Sequence, residues 1–185
     1  MAMRDFSGRF VSSDVGVSVE FDDRGLKGFA QTIKDLGSMD LYIGVQGESG
    51  AAIYPNRNQE INVASVAYWQ EFGTRALNSR SFLRRTVFDR RRDIEASLQR
   101  AAERAIDTGD ALEALGGAGD EIGEMVRATI LKSRTWAKPN APSTIAKKKF
   151  DWPLVETGKL VEESISYTIR DKAGAVLKSG DPLSG

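Results

Sequence analysis

Cysteine and histidine are both missing from this 185-residue chain. Without cysteine there is no disulfide, no thiolate metal site and no cysteine nucleophile. Without histidine the commonest general base near neutral pH is gone, and with it Ser-His-Asp chemistry and imidazole-dependent zinc sites. Catalysis would have to rest on carboxylates or lysines, with or without a hard metal ion. The sequence therefore points away from an enzyme, and no catalytic, cofactor-binding or metal-ligating residue is assigned. Net charge is also missing: Lys+Arg and Asp+Glu both number 26, which argues against a protein that coats a polyanion with its whole surface. No run approaches the ~20 apolar residues of a membrane span, and MAMRDFSGRFVSSD has no apolar stretch of signal-peptide length. Synthesis and folding in a cytoplasm, with no membrane and no small-molecule substrate, is the expectation.

The length suits one core of ordinary size. The expected organisation is a flexible N-terminal arm at 1–14, a single α+β domain at 15–170 and a C-terminal tail at 171–185 whose apolar content is too low for core. Val15 to Phe21 alternates with period two, as a half-buried strand does. In LKGFAQTIKDLG, Leu26, Phe29, Ile33 and Leu36 fall at helical spacing and Gly37 stands where a cap would. Leu41 to Val45 gives a second strand. GESGAAIYPNRNQE reads as a loop. Ile61 to Phe72 suits a short helix with Val63, Val66 and Ala67 inward, ended by Gly73.

Ser81 to about Ala105 reads as one long helix with Leu83, Val87, Ile94, Leu98, Ala101 and Ala105 as its apolar stripe. Residues 110–132 suit another, in which Gly116, Gly117, Gly119 and Gly123 each cost roughly 1 kcal/mol against alanine. They imply close packing of another backbone or a break near Gly116-Gly117. TWAKPNAPSTIAKKKF reads as an excursion with a short helix from Ser143, and Glu163 to Arg170 as a third strand. The fold expected is a small, mostly antiparallel sheet packed by two longer helices, with extended loops and termini.

Several short motifs have plainer readings than their chemistry suggests. Asp107-Thr108-Gly109 spells an aspartic-protease triad but has no second copy to share a proton, so it is a turn between helices. Glu156-Thr157-Gly158-Lys159-Leu160 has Leu160 where a phosphate-binding loop needs a hydroxyl, so it reads as a turn and short helix. Asp22-Asp23 and Glu162-Glu163 are adjacent carboxylates whose side chains diverge.

The most distinctive stretch is VAYWQEFGTRALNSRSFLRRT, residues 66–86, where aromatics abut arginines. Tyr68, Trp69 and Phe72 cannot all face one side of a helix, so part of this cluster lies at the edge of the core. Arg85–Asp89 and Arg91–Glu95 lie four apart and can pair. Arg84, Arg90 and Arg92 have no acid at that spacing, and unpaired arginine beside aromatics is a frequent interface composition. Lys147-Lys148-Lys149 beside Phe150 and Trp152 forms a second basic-aromatic patch.

These residues resemble the neck or tail-completion proteins of long-tailed bacteriophages. That family is expected to show an aromatic helix ending in Glu-Phe-Gly-Thr, here Glu71 to Thr74, then an Arg-containing loop and Phe-Leu-Arg opening a long helix, here Arg80 to Arg84. A Pro-Ser-Thr-Ile-Lys-like segment, here Pro142 to Lys147, and a Pro-Leu-x-x-Thr-Gly-x-Leu segment, here Pro153 to Leu160, come later. The resemblance covers about Val63 to Arg170 and carries no catalytic residues. It implies a virion structural protein made in the host bacterial cytoplasm, assembling as a homo-oligomeric ring between head-closure or portal-side connector proteins and the tail terminator or tail tube. Genomic DNA in the lumen stays open as a further contact.

The expected oligomer or partner interface is Tyr68, Trp69, Phe72, Arg75, Arg80, Phe82, Arg84, Arg85, Trp152 and Leu154, and Arg80→Glu is expected to impair assembly while leaving the subunit folded. The loops GESGAAIYPNRNQE and TWAKPNAPSTIAKKK are expected to order on assembly. The alternative is a nucleic-acid-binding module using the Arg84–Arg104 helix.

Overall fold

The computed structural model describes residues 3–4, 10–11, 18–19, 24–53, 61–156, 158–162 and 164–180. Its axis is α6 (Ala111–Leu131), about 31 Å long at 1.5 Å per residue. Asp110 caps it by accepting from the Glu113 N–H at 2.9 Å. Gly109 closes the preceding helix in the left-handed conformation, so the Asp107-Thr108-Gly109 triplet is a helix end and a turn.

The glycines of α6 produce no break. They give the helix a side smooth enough for β5 (Ile165–Asp171) to press its Tyr167 ring against it. A Cβ at Gly119 would stand 2.5 Å from the Tyr167 ring, closer than any real contact, so at Gly119 the close approach expected of another backbone is made by a side-chain ring.

β5 is the centre of an antiparallel sheet ordered β4-β5-β6, with β4 (Met39–Val45) on one edge and β6 (Val176–Gly180) on the other. The β4–β5 register runs from Met39 opposite Asp171 to Val45 opposite Ile165. The fold is thus α+β, a small antiparallel sheet assembled from distant strands and packed by helices. The segment beyond Asp171, expected as a tail, instead turns through Lys172 to Ala175, held by Asp171 Oδ1 on the Ala175 N–H, and supplies β6. The strand signal is weak because no described residue of β6 is fully buried.

At the other terminus β1 (Met3–Arg4), β2 (Phe10–Val11) and β3 (Ser18–Val19) form a separate antiparallel sheet. The expected strand at 15–21 therefore pairs with the segment expected as an arm, not with the main sheet. The rest of 1–23, including Asp22-Asp23, lies outside the described residues.

Two cores sit on α6. At its C-terminal half Val126 and Ile130 pack with Val63, Phe82, Leu160 and Ile165. At its N-terminal half Ala111, Ala114 and Ala118 pack with Ala101 and Ala105, flanked by Leu36, Met39 and Leu41. The first core is built by α3 (Val63–Phe72), α4 (Phe82–Asp89) and α9 (Lys159–Glu162), the second by α1 (Arg24–Ser38) and α5 (Arg91–Thr108).

The single helix expected over 81–105 is two, separated at Arg90 (φ −112°, ψ 17°). Its inward face keeps Ala101 and Ala105 of the expected stripe and differs from expectation elsewhere. Phe82, Thr86, Ser97, Ala101 and Ala105 are buried, whereas Val87 and Leu98 are exposed. The physical reason is the small-residue side of α6: close helix approach selects Ala and Ser, and the polar members are paired. Ser97 Oγ donates to Glu121 Oε2 at 2.7 Å, and Thr86 Oγ1 bonds Thr129 Oγ1 at 2.8 Å.

The expected loop at 47–60 contains the short helix α2 (Gly47–Ala51), and 54–60 lie outside the described residues. The later excursion contains α7 (Ser133–Trp136) and α8 (Pro142–Lys148), with proline in the first turn of α8 as the sequence suggests. Gly158 and Lys159 form a turn and the start of α9, as expected, while Thr157 and Glu163 are outside the described residues.

Candidate functional site

Asn62 starts α3 by accepting from the Ser65 N–H at 2.8 Å, and Gly73 ends it at φ 78°. A side chain at Gly73 would be strained by that φ and would meet Leu77 O and Ser79 N at 2.9 Å. Thr74 then folds the loop on itself, its Oγ1 accepting from the Leu77 N–H at 3.1 Å. The purpose of this tight loop lies in Glu71, which is only 3 % exposed. Its carboxylate accepts from the Leu83 N–H (2.9 Å) and the Arg84 N–H (3.2 Å), the orphan donors of the first turn of α4. Ser81 occupies the N-cap position but spends its hydroxyl on the Glu71 carbonyl at 2.8 Å. Glu71 therefore caps α4 from another helix, and Arg84 completes the joint with its Nε 2.9 Å from the same carboxylate.

Three residues expected at the interface are inside the subunit. Phe82 is fully buried and Leu154 nearly so, both in the C-terminal core. Arg80 is 7 % exposed, with Nε donating to Lys138 O at 3.1 Å and Nη2 to Pro139 O at 3.2 Å. Burial depresses its guanidinium below the ordinary value, against the opposing charge of Asp151. An Arg80→Glu chain would press a carboxylate against those carbonyls, so this substitution attacks the fold and not assembly alone. For Arg80 and Phe82 the cause is the capped joint, which turns the chain inward at Arg80-Ser81-Phe82, whereas Leu154 enters the same core from the separate segment between α8 and α9.

The remaining expected residues do reach the surface. Tyr68 is 60 % exposed and stacks at 4.8 Å on the exposed Phe72, over which the Arg84 guanidinium lies at 5.0 Å. Trp69 is half-buried and Arg75 exposed. Arg85 lies 5.0 Å over Trp136 and pairs with Asp89. Arg84, Arg85, Phe88 and Trp136 line a shallow groove. Phe88, which the sequence reading passed over, is 85 % exposed and the barest large apolar side chain described. Its signal is positional: with Phe82 and Thr86 inward, residue 88 faces away. Trp152 belongs elsewhere. It is half-buried beneath Arg134 at 4.3 Å, with Nε1 donating to Leu131 O at 3.2 Å.

A second apolar surface lies on α1. Leu26, Phe29 and Ile33 on α1 are exposed, while among the described side chains of that helix only Thr32 is buried. Leu36 anchors α1 at the N-terminal half of α6, whereas Tyr68, Phe72 and Phe88 stand on helices anchored at its C-terminal half.

The arginines are better paired than their spacing implies. Arg84 bonds Glu71, Arg90 bonds Asp93 at 2.9 Å, and Arg100 bonds Glu121 at 2.6 Å. Arg127, missed in the sequence, is buried and ties α6 to the α9–β5 segment through Val161 O (2.9 Å) and Ile165 O (2.7 Å). Among the described residues no group of three or more acids could hold a metal ion, and no helix is long and apolar enough to cross a membrane. Comparison with protein families, with curated proteins and with solved structures found no match to this chain.

Proposed function

We propose that this chain is a structural virion protein of a tailed phage, forming a homo-oligomeric ring in the neck that completes the tail and joins it to the head. The supporting observation is the pair of unlike apolar surfaces carried at the two ends of α6: Tyr68, Phe72 and Phe88 with arginines on one, Leu26, Phe29 and Ile33 on the other. A ring closes through head-to-tail contacts, which need two different patches on each subunit rather than one self-complementary patch. An aromatic-arginine edge is the hot-spot composition such a contact favours, and a bare aliphatic-aromatic helix face is a fitting receptor. Head-closure or portal-side proteins would meet one rim of the ring, and the tail terminator or tube the other.

Deleting the gene in the phage that carries it tests this reading by electron microscopy of lysates. Separate heads and tails are expected, rescued by the wild-type chain and not by Phe88→Asp. Normal infectious particles after deletion would refute it. The second reading, nucleic-acid binding by Arg84–Arg104, gains no support from the geometry, because Arg84, Arg85, Arg90, Arg91 and Arg100 all hold carboxylates that would compete with phosphates.

A further inference from the structure

Between α3, the loop before α4 and the segment around α8 lies a cleft of about 320 Å³. Two cations line it, Arg80 and Lys148, and both are held only by neutral acceptors. Arg80 uses Lys138 O, Pro139 O and, at a loose 3.5 Å, Gln70 Oε1. Lys148 Nζ donates to Trp152 O at 2.9 Å and to Val155 O. Among the described residues neither cation forms a direct ion pair, although Arg80 is buried and Lys148 half-buried, and a buried charge is normally paired. Each also keeps N–H groups open: Nη1 and Nη2 of Arg80 carry more hydrogens than these acceptors use, and so does Nζ of Lys148.

We propose that this cleft receives a carboxylate side chain carried on a peptide segment of another protein. The two like charges disfavour each other: burial and then Arg80 both push the Lys148 ammonium below its ordinary value, against Glu156 and Asp151. An anion entering between them turns that repulsion into two attractions. The guanidinium fork suits a planar carboxylate, and Leu154 and Leu160 in the lining suit the carbon stem behind it. Glu156 also lines the cleft and Asp151 acts on both cations, so these acids already offset the two positive charges and a phosphate dianion is disfavoured relative to a single carboxylate. The gap in charge pairing stands whether or not subunits form a ring.

The test uses the full ¹⁵N-labelled chain titrated with the capped peptide Ac-Gly-Glu-Gly-NH₂, its Gln analogue and inorganic phosphate. The Glu peptide should saturate shifts of the Arg80 Nε–H and the Gln70 and Asn140 side-chain amides. The Gln peptide should bind about tenfold more weakly, the equivalent of losing one charge-assisted hydrogen bond. Lys148→Met should weaken the Glu peptide by a similar factor, with Lys148→Arg restoring it. Should Lys148→Met fail to fold, Glu156→Gln carries the test, because removing the competing carboxylate should tighten binding several-fold. Equal binding of the Glu and Gln peptides, tighter binding of phosphate, no saturable shift, or no response to Glu156→Gln would each overturn the proposal.

Discussion

Replacing Glu71 by alanine should cost far more than replacing its salt-bridge partner. The carboxylate satisfies two main-chain donors of α4, at Leu83 and Arg84, from a site that is almost wholly buried. Hydrogen bonds to a charged acceptor are worth about 1.5–3 kcal/mol each, and loss of an N-cap costs ~0.5–2 kcal/mol. These overlap, so Glu71→Ala should destabilise by about 3 kcal/mol. Arg84 contributes from the solvent side, its side chain 61 % exposed, where an ion pair is worth at most ~1 kcal/mol. Each kcal/mol moves the melting temperature by roughly 2–4 °C in a domain of this size. The expected losses are therefore about 6–12 °C for Glu71→Ala and about 2–4 °C for Arg84→Ala, measured by circular dichroism under identical conditions. Glu71→Gln keeps one acceptor oxygen and should fall between. An Arg84→Ala loss equal to that of Glu71→Ala would refute the capping argument, since the joint would then be an ion pair and nothing more.

Two further substitutions test the packing of α6. Gly119→Ala drives a Cβ into the Tyr167 ring and should cost ~1–3 kcal/mol, whereas Gly117→Ala meets only the mobile end of Arg104 and should gain up to about 1 kcal/mol of helix propensity. Urea midpoints moving in the same direction for both would contradict the packing argument. The Glu121 carboxyl is held below its ordinary value, first by the Ser97 hydroxyl and then by Arg100. The folded state thus binds this proton less tightly than the unfolded chain, so the stabilisation is complete above the ordinary carboxyl range and is lost as pH falls through the depressed folded value. Ser97→Ala should narrow its stability gap from wild type as the solution is acidified, and a gap that widens on acidification would show that the hydroxyl does not act through Glu121.

The helices were legible where one face meets one core. Val63, Val66 and Ala67 repeat at helical spacing and are buried, and Gly73 ends their helix. Legibility failed where packing is done by small or polar residues. Thr86, Ser97 and Ala105 face α6 because their size permits close approach, while the more hydrophobic Val87 and Leu98 flank them, so a stripe drawn by hydrophobicity came out rotated. The stripe of α1 was legible as a helix but not as a surface. Leu26, Phe29 and Ile33 do share a face, but amphipathic spacing only says that a face wants covering and not that its own domain covers it. β6 escaped notice because an edge strand with little burial carries little alternation. Glu71 escaped because its donors lie twelve and thirteen residues on in the chain, beyond any local capping pattern.

The aromatic-arginine stretch therefore separates into two sets with different physical roles. Glu71, Gly73, Arg80 and Phe82 form the joint that sets α4 against α3, and their side chains or backbone geometry are used up inside the subunit. Tyr68, Phe72, Arg84 and Phe88 are what that joint presents outward, with the Tyr68 and Phe72 rings in contact and the Arg84 guanidinium over Phe72 already arranged in the single chain. Pre-arrangement of this kind lowers the side-chain ordering cost of association, which runs at about 0.5–1.5 kcal/mol for each immobilised long side chain. Under the proposed ring assembly, holding Arg84 at both its main-chain and side-chain nitrogens by one buried carboxylate would serve the interface as well as the fold. The same proposal explains why a chain would set its most aromatic stretch directly against its most basic one: the buried half would fix the geometry that the exposed half needs.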